Sequence, residues 1–410
     1  MATLAPSQPP ASATRNDAER DLFPWRRTVL VIFAVSLLAG LVGMWMRLTQ
    51  GHLPAGYGSF VPWGLWIAIY FHGVGVAAGA FAMSAAGYLA GLRGFRSGRS
   101  LRIAAVIVAA TVAPALLAVA LDLGQMMRAY RIIIDPSFTS MMAFNSWTYF
   151  ALIIVAALVW FLSLREDRGW LRPLLVLGLL LSVMIPAQSG AFLAVVDTRT
   201  FWHTALMPVL MLTSGLVAGA AALLVVRAYL SGPGAGHEHD HPGETLPAVS
   251  LLRKVLLVGL AMYFFLEIAE FTIALWNTGH IPPEVSMILT GPYWWAFWIV
   301  HVLLGGIVPY VLLLTKRPRA WSVAAVLVVI GFISTRLNVL IPGQSVGSLE
   351  GLQEAYSHPR LDYVYNATLM EYLVALFCLA LAMGLLYAGL RVTAAMEART
   401  ARKEQHHVSR

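Results

Sequence analysis

Residues 101–123 read LRIAAVIVAATVAPALLAVALDL, an apolar run with one basic residue near its start and Asp122 near its end. A helix needs about 20 consecutive apolar residues to cross the hydrocarbon core of a bilayer, and this run is long enough. A surface helix of a soluble protein would instead carry a polar face along its length. We therefore interpret the run as a transmembrane helix that brings an acidic side chain to one edge of the membrane.

Further runs of the same kind occupy most of the chain. Hydrophobic residues make up 59% of the sequence and charged residues only 12%, whereas a soluble domain carries roughly a quarter charged residues. The predicted spans are residues 28–49, 61–92, 101–123, 144–164, 171–195, 202–230, 252–276, 292–315, 320–341 and 366–390. The sequence therefore predicts an all-α integral membrane protein with about ten transmembrane helices in two bundles.

A polar segment between the sixth and seventh spans divides the chain into parts. We predict a cytoplasmic N-terminal tail (1–27), a first bundle of six spans (28–230), a polar linker (231–250), a second bundle of four spans (251–390) and a basic cytoplasmic tail (391–410). The linker contains His237-Glu238-His239-Asp240-His241, which can be read as a metal site or as a solvated loop. We favour the loop, because no cysteine accompanies these alternating residues as a further ligand.

Basic residues indicate the orientation of the spans. They lie before the first span, after the tenth, and in every second loop, such as Arg93, Arg96 and Arg99 between the second and third spans. With an even number of spans all these positions fall on one side, which the positive-inside rule assigns to the cytoplasm. We therefore expect both termini to be cytoplasmic.

Cysteine content limits the redox chemistry that this chain can carry. Cys378 is the only cysteine, which excludes an internal disulfide, a four-cysteine iron–sulfur cluster and a covalently attached c-type haem. A redox centre in this chain would be non-covalent, or it would belong to a partner.

Ionisable side chains within the apolar runs are the first functional candidates, because a charge in hydrocarbon is costly. They are His72, Asp122, Glu267, Glu270, His301 and Arg336. With a rise of 1.5 Å per residue, most of them fall in the half of the bilayer away from the basic loops. This distribution predicts a site that is reached from the outer leaflet.

Several of these polar residues can be explained by a structural role as well as by a functional one. Asp122 can be a proton acceptor or the partner of a membrane arginine, and the sequence favours neither. For His72 we favour a functional role over a hydrogen bond to a neighbouring helix. Gln188 and Ser189 follow Pro186, so they can bind a ligand or repair the helix that proline interrupts, and repair is slightly favoured.

Short segments along the chain also resemble one known family in order and spacing. They are VPWGLWIAIYFHGVG (61–75), ALDLGQMMR (120–128), AQSG (187–190), FWHTALMP (201–208), GPYWWAFW (291–298) and GFISTRLN (331–338), with Glu371 after Tyr365-Asn366. Over about residues 25–390 the chain resembles the NrfD / polysulfide-reductase membrane-subunit family. It is most similar to the long branch of HybB-type and ActC-type quinone-reactive subunits.

The resemblance implies a subunit that holds no haem or iron–sulfur cluster of its own and binds menaquinone or ubiquinone near the outer face of a bacterial inner membrane. Such a subunit exchanges electrons between the quinone pool and a periplasmic-facing, ferredoxin-like iron–sulfur subunit, with a catalytic or cytochrome subunit beyond it. Proton translocation is a further expectation. On this reading the chain belongs to an oxidoreductase complex, does not itself act on the terminal substrate, and binds no nucleic acid.

Site residues follow from the resemblance together with the polar positions above. The expected quinone-binding set is His72, Gly75, Asp122, Arg128, Tyr149 and Gln188. The expected proton path is Asp122, Glu267, Glu270, His301 and Arg336, and no metal ligands are expected. Ala187 stands where HybB-type members often have a histidine, so quinone specificity or proton handling can differ here.

Two other functions remain open at the level of sequence. His72 and His301 lie at similar depth on separate spans and could ligate one b-type haem, which a Soret band would reveal. Asp122, Glu270 and Arg336 could instead serve a proton-coupled transporter, which substrate uptake by the isolated chain would reveal.

Overall fold

The computed structural model describes residues 25–135, 137–165, 168–231, 245–276, 281–347, 349, 351, 355–356, 358 and 361–408. In chain order the helices are α1 (Arg26–Gln50), α2 (Leu65–Leu89), α3 (Gly98–Asp122), α4 (Arg131–Ile134), α5 (Met141–Leu164), α6 (Arg168–Ala194), α7 (Met207–Ser231), α8 (Thr245–Trp276), α9 (Pro283–Leu289), a π-helix (Ala296–Ile307) continuing as α10 (Val308–Leu314), α11 (Pro318–Gly331), α12 (Ile333–Ser345) and α13 (Leu369–Val408). A 3₁₀ turn, Met126–Arg128, precedes α4.

The helices confirm the predicted class of protein. Across the described residues there are ten stretches long and apolar enough to cross a bilayer, and no strand. Most bounds agree with the prediction to within a few residues. The seventh span begins earlier than predicted, at Thr245, and α13 continues to Val408, because a helix can extend into water beyond the apolar residues that cross the membrane.

Two glycine pairs join α2 to α7 at the centre of the bundle. Gly75 and Gly79 on α2 face Gly215 and Gly219 on α7, and each pair has three residues between its members. A Cβ atom built on Gly79 would lie 2.2 Å from the carbonyl oxygen of Gly215. Small residues at this spacing let two membrane helices approach to backbone contact, and here they make α2 the most enclosed span.

Irregular backbone is concentrated in the eighth and ninth spans. The eighth span begins as a π-helix, Ala296–Ile307, and the ninth is interrupted at Phe332 between α11 and α12. A Cβ atom built on Gly331 would lie 2.7 Å from the Cα of Gly305, so the two spans touch through their backbones next to the interruption. Such irregular segments often mark functional sites.

The last helix packs against the beginning of the chain. Helix α13 lies along α1 and α3, and its Cys378 is buried with Trp66 of α2 and Val374. Residues 232–244 of the predicted linker, including the histidine run, lie outside the described residues. The division into six and four spans therefore stays a prediction, and the contacts of α13 reach across it.

Candidate functional site

A groove opens on the flank of the bundle between α5, α6 and α7. It has a volume of about 510 Å³ and is lined by Phe138, Thr139, Ser140, Met141, Phe144, Met184, Ala187, Gln188, Ala191 and Pro208. Ser140 caps α5 by accepting a hydrogen bond from the backbone N–H of Ala143, at 3.3 Å. Phe138 and Phe144 at the rim are exposed. The groove therefore opens away from the bundle interior, and its walls are mainly apolar.

Gln188 supplies an unsatisfied polar group in this groove. Its side chain is 7% exposed, and neither its amide nitrogen nor its amide oxygen has a hydrogen-bond partner among the described residues. A buried polar group without a partner carries a desolvation cost of about 1–3 kcal/mol. By contrast, Ser189 donates to the carbonyl of Ile185 at 3.0 Å, so Ser189 bonds the helix near Pro186 and Gln188 does not.

A chain of hydroxyl groups runs inward from Ser189. Because the Ser189 hydroxyl hydrogen is donated to the Ile185 carbonyl, its oxygen accepts from Tyr149, at 3.5 Å. The Tyr149 oxygen in turn accepts from Tyr70 of α2, at 3.0 Å. No described residue donates a hydrogen bond to Tyr70, so its oxygen at the far end of the chain can accept a further hydrogen.

His72 and Arg336 form a second polar centre deeper between α2, α7 and α12. Both side chains are buried, and in the part of the chain that the structure describes His72 Nε2 and Arg336 Nε have no hydrogen-bond partner. The guanidinium contacts the sulfur of Met211 and donates to its carbonyl at 3.4 Å. It lies within electrostatic range of the His72 ring and beside Gly75, where a built Cβ would be 3.1 Å from Nη2.

His301 stands at the centre of a third cluster, on the π-helix. Its Nε2 lies 3.0 Å from both carboxylate oxygens of Glu267, and its Nδ1 lies 3.3 Å from the Thr335 hydroxyl. Tyr263 donates to Glu267 at 2.9 Å. The His301 ring is fully buried against the aromatic rings of Tyr263, Phe264, Phe297 and Phe332. Thr335 precedes Arg336 on α12, so one helix links this cluster to the second centre.

The hydrogen bonds of His301 can be compared with what axial ligation of a haem by His72 and His301 would require. In the described structure both ring nitrogens of His301 are engaged, one by Glu267 and one by Thr335. Axial ligation by His72 and His301 would require His301 to give up one of these partners. Among the described residues, no group of three or more His, Cys, Asp and Glu side chains is arranged to hold a metal ion.

Glu270 and Asp122 lie apart from the His301 cluster. Glu270 accepts a hydrogen bond from Thr204, at 3.2 Å, in the loop before α7. Asp122 ends α3, where Arg47 and Glu371 are its charged neighbours. Of the expected proton path, the structure brings Glu267 and His301 together. Arg336 lies in the separate centre with His72, and Glu270 and Asp122 have other surroundings.

The expected quinone-binding residues are also divided among separate parts of the structure. Gln188 lies in the groove and Tyr149 on the adjoining hydroxyl chain, while His72 and Gly75 belong to the Arg336 centre. Arg128 is exposed on the 3₁₀ turn outside the membrane spans. Their roles stay predictions.

Sequence reasoning missed several residues of the polar network. They are Arg47, His52, Tyr57, Tyr70, Met211, Tyr263 and Thr335. Arg47 lies near the end of the first span, so as a membrane arginine it could have been recognised as the partner that one reading of Asp122 required. The tyrosines gave no such signal, because the amphipathic ring of tyrosine is common at membrane interfaces.

Comparison with known proteins supplies the wider context. A family model described as "Polysulphide reductase, NrfD" matches residues 54–347. A selenate reductase subunit of Mesobacillus selenatarsenatis is 25% identical over 387 residues, covering 84% of this chain and 88% of that protein. The Hdr-like menaquinol oxidoreductase integral membrane subunit of Archaeoglobus fulgidus is 23% identical, covering 83% and 86%. Protein NrfD of Escherichia coli is 26% identical, covering 69% and 95%.

Proposed function

Because the chain belongs to the NrfD family of polysulfide-reductase membrane proteins, we propose that it is the quinone-binding membrane subunit of an oxidoreductase complex. It exchanges electrons between the quinone pool and an iron–sulfur subunit on the outer face, which connects it to a catalytic or cytochrome subunit. Menaquinone or ubiquinone acts as substrate, and this chain holds no haem or iron–sulfur cluster of its own. The complex lies in a bacterial inner membrane, with both termini of this subunit in the cytoplasm.

The groove with Gln188 is the observation that carries this proposal. Its apolar walls suit a lipid-soluble ring, and its outward opening suits a ligand that arrives from the bilayer. The free amide matches both redox forms: its N–H group can donate to a quinone carbonyl, and its oxygen can accept from a quinol hydroxyl. Gln188 lies six residues before the end of α6, about 9 Å below that end, which favours a site near the outer face.

Quinol oxidation releases two electrons and two protons, so the site needs proton acceptors as well as a slot for the ring. The hydroxyl chain from Ser189 to Tyr70 connects the groove region to α2, and His72 and Asp122 supply an imidazole and a carboxylate. Each has a buried atom without a hydrogen-bond partner, as expected for groups that accept a proton during turnover.

A proton path through the His301 cluster is a finer part of the same proposal. Glu267, His301 and Thr335 form a continuous set of hydrogen bonds next to Arg336. The two ring nitrogens of a histidine can accept a proton on one side and release it on the other. This supports a proton route between the Arg336 centre and Glu267. The interrupted backbone of the ninth span would allow that route to rearrange.

Replacement of Gln188 tests ligand binding directly. We expect Gln188→Leu to weaken binding of a decyl naphthoquinone to the purified chain by about tenfold or more, because one hydrogen bond is lost at a desolvated site. Quenching of tryptophan fluorescence measures the affinity, and decyl ubiquinone run in parallel compares the two quinone classes. Thr213→Val is the control, since the Thr213 hydroxyl donates only to Val209 of its own helix. Equal affinities in wild type and Gln188→Leu would refute the groove as the binding site.

Turnover by the assembled complex tests the proton acceptors. We expect Asp122→Asn and His72→Ala each to abolish quinol-dependent electron transfer in membranes while the complex still assembles, because each variant removes a group that takes up a proton. Reduction of an artificial acceptor by a quinol, together with subunit recovery after affinity purification, measures both properties. Full activity in both variants would remove these residues from the mechanism.

A further inference from the structure

A second groove lies on the flank of the bundle, between α8 and the eighth span, and we call it the α8 groove. It has a volume of about 270 Å³ and is lined by Leu260, Ala261, Phe264, Val302, Gly306, Ile307, Tyr310 and Val311. Its walls are entirely apolar, and Ala261, Ile307 and Val311 are exposed. Both helices are long and apolar enough to cross a bilayer, so the groove opens to the surrounding hydrocarbon.

Contacts between the two spans close the α8 groove at both ends. At one end, the Phe264 ring fills the space that Gly306 leaves, since a Cβ built on Gly306 would lie 2.4 Å from Phe264 Cζ. The same ring packs on His301, with centroids 5.3 Å apart. At the other end, Arg253 donates to the carbonyl of Leu313 at 2.5 Å and ties α8 to α10. A helix with its side chains is about 10–12 Å wide, so a short cleft of this volume fits a single hydrocarbon chain better than a partner's transmembrane helix.

Basic side chains lie beyond the end of the groove at which α8 is tied to α10. Lys254 precedes Ala261 by seven residues, which is two helical turns along the same face of α8. Lys316 and Arg317 follow Leu314, the last residue of α10. All three basic residues are exposed, and neither lysine ammonium group has a hydrogen-bond or ion-pair partner in the part of the chain that the structure describes. Their long side chains can reach the level of lipid headgroups while their stems stay in apolar surroundings.

Acidic residues are missing from the segments that form the groove. Residues 245–266 and 296–334 contain no Asp or Glu, and the first carboxylate along α8, Glu267, is bonded to His301. This end of the groove therefore carries a positive charge that attracts anionic lipid. A second quinone is a poor occupant, because its carbonyl oxygens would find no hydrogen-bond donor in walls without polar atoms.

We propose that the α8 groove binds one acyl chain of an anionic phospholipid, whose phosphate lies against Lys254, Lys316 and Arg317. The acyl chain ends at Phe264 and so covers, from the lipid side, the ring that packs on His301. The charge and shape of the groove carry this inference, and it does not depend on the proposed quinone function.

Photo-crosslinking tests the site in a bilayer. The full-length chain is reconstituted into vesicles of dioleoylphosphatidylcholine that contain a small fraction of phosphatidylglycerol or phosphatidylcholine with a diazirine in the middle of one acyl chain. On illumination the diazirine loses N₂ and the carbene inserts into a neighbouring C–H bond, so peptide mass spectrometry locates the lipid. We expect the phosphatidylglycerol probe to label the residues of the groove about tenfold more than the phosphatidylcholine probe, because the basic residues favour the charged headgroup.

Matched variants separate the headgroup contacts from the groove itself. The double variant Lys254→Gln/Lys316→Gln should lower labelling by the phosphatidylglycerol probe about tenfold, and Ala261→Phe should lower labelling by filling the groove. Arg391→Gln removes an exposed charge of α13, and Ala109→Phe adds the same bulk to an exposed position of α3. Both of these controls should be labelled like the wild type.

Equal labelling of the groove by the two probes, or an unchanged preference in the double lysine variant, would overturn the proposal. Labelling of the isolated chain that disappears in the purified complex would assign the groove to a partner subunit and would overturn it as well. All the replaced residues are exposed, so we expect the variants to fold. The comparison of the two probes on the wild type decides the matter without any variant.

Discussion

Gly79→Ala is expected to destabilise the folded protein by about 3 kcal/mol or more, because a methyl group there cannot fit between α2 and α7. The added Cβ would lie 2.2 Å from the Gly215 carbonyl oxygen and 2.9 Å from its carbon. Both are backbone atoms, so no side chain can turn aside, and the two helices must separate. That separation would also disturb the neighbouring contact of Gly75 with Gly215, beside which the Arg336 guanidinium lies.

Thermal unfolding in detergent measures this effect. Cys378 is the only cysteine and is 3% exposed, so a thiol-reactive fluorophore reports when the bundle opens. Gly124→Ala is the matched control, because a Cβ built there meets nothing within 4 Å. We expect Gly124→Ala and the wild type to have the same melting temperature. A similar melting temperature for Gly79→Ala would show that the helices are not in backbone contact.

Glu371→Ala is expected to have the other large effect, a loss of about 3–5 kcal/mol of stability. Its fully buried carboxylate accepts hydrogen bonds from Gly56, Thr368 and Tyr365, and each bond to a charged group contributes about 1.5–3 kcal/mol. Tyr365 in turn accepts from the N–H of Leu65 at the start of α2, at 2.8 Å. Removing the carboxylate therefore releases the loop between α1 and α2, the segment before α13 and the beginning of α2 together.

Glu371→Gln provides the graded comparison for this prediction. The amide keeps one acceptor oxygen and loses the other, so its stability should lie between wild type and Glu371→Ala. Limited proteolysis of the loop between α1 and α2, together with the Cys378 melting assay, measures both consequences. Equal stability of all three proteins would mean that the carboxylate does not hold these loops.

The ten spans could be predicted because a bilayer imposes its thickness on every helix that crosses it. Asp122, His301 and Glu267 were recognised for the same reason, since ionisable residues are conspicuous in apolar runs. Their grouping was harder to foresee. Glu267 and Glu270 are one turn apart, yet Glu267 bonds His301 and Glu270 bonds Thr204. The two glutamates have different neighbours, because the π-helix lies beside Glu267 and the loop before α7 lies beside Glu270.

Features that depend on contacts between distant segments were not visible in the sequence. The π-helix around His301 and the interruption at Phe332 arise where Gly305 and Gly331 touch. The hydrogen-bonded chain from Arg47 through His52 to Tyr57 depends on the fold of the loop after α1 and on the Leu121 carbonyl. Hydrophobic periodicity describes which face a helix buries, and it carries no information about such local hydrogen bonds.

The sideways opening of the Gln188 groove affects how kinetics on this protein must be expressed. A substrate that arrives through the flank of the bundle is drawn from the surrounding lipid, so the relevant concentration is its mole fraction in the membrane. Under the proposed function, diluting proteoliposomes with buffer should leave the rate per protein almost unchanged at a fixed quinol-to-lipid ratio. Adding empty lipid that fuses with them should raise the Michaelis constant calculated per litre, although the intrinsic affinity is the same.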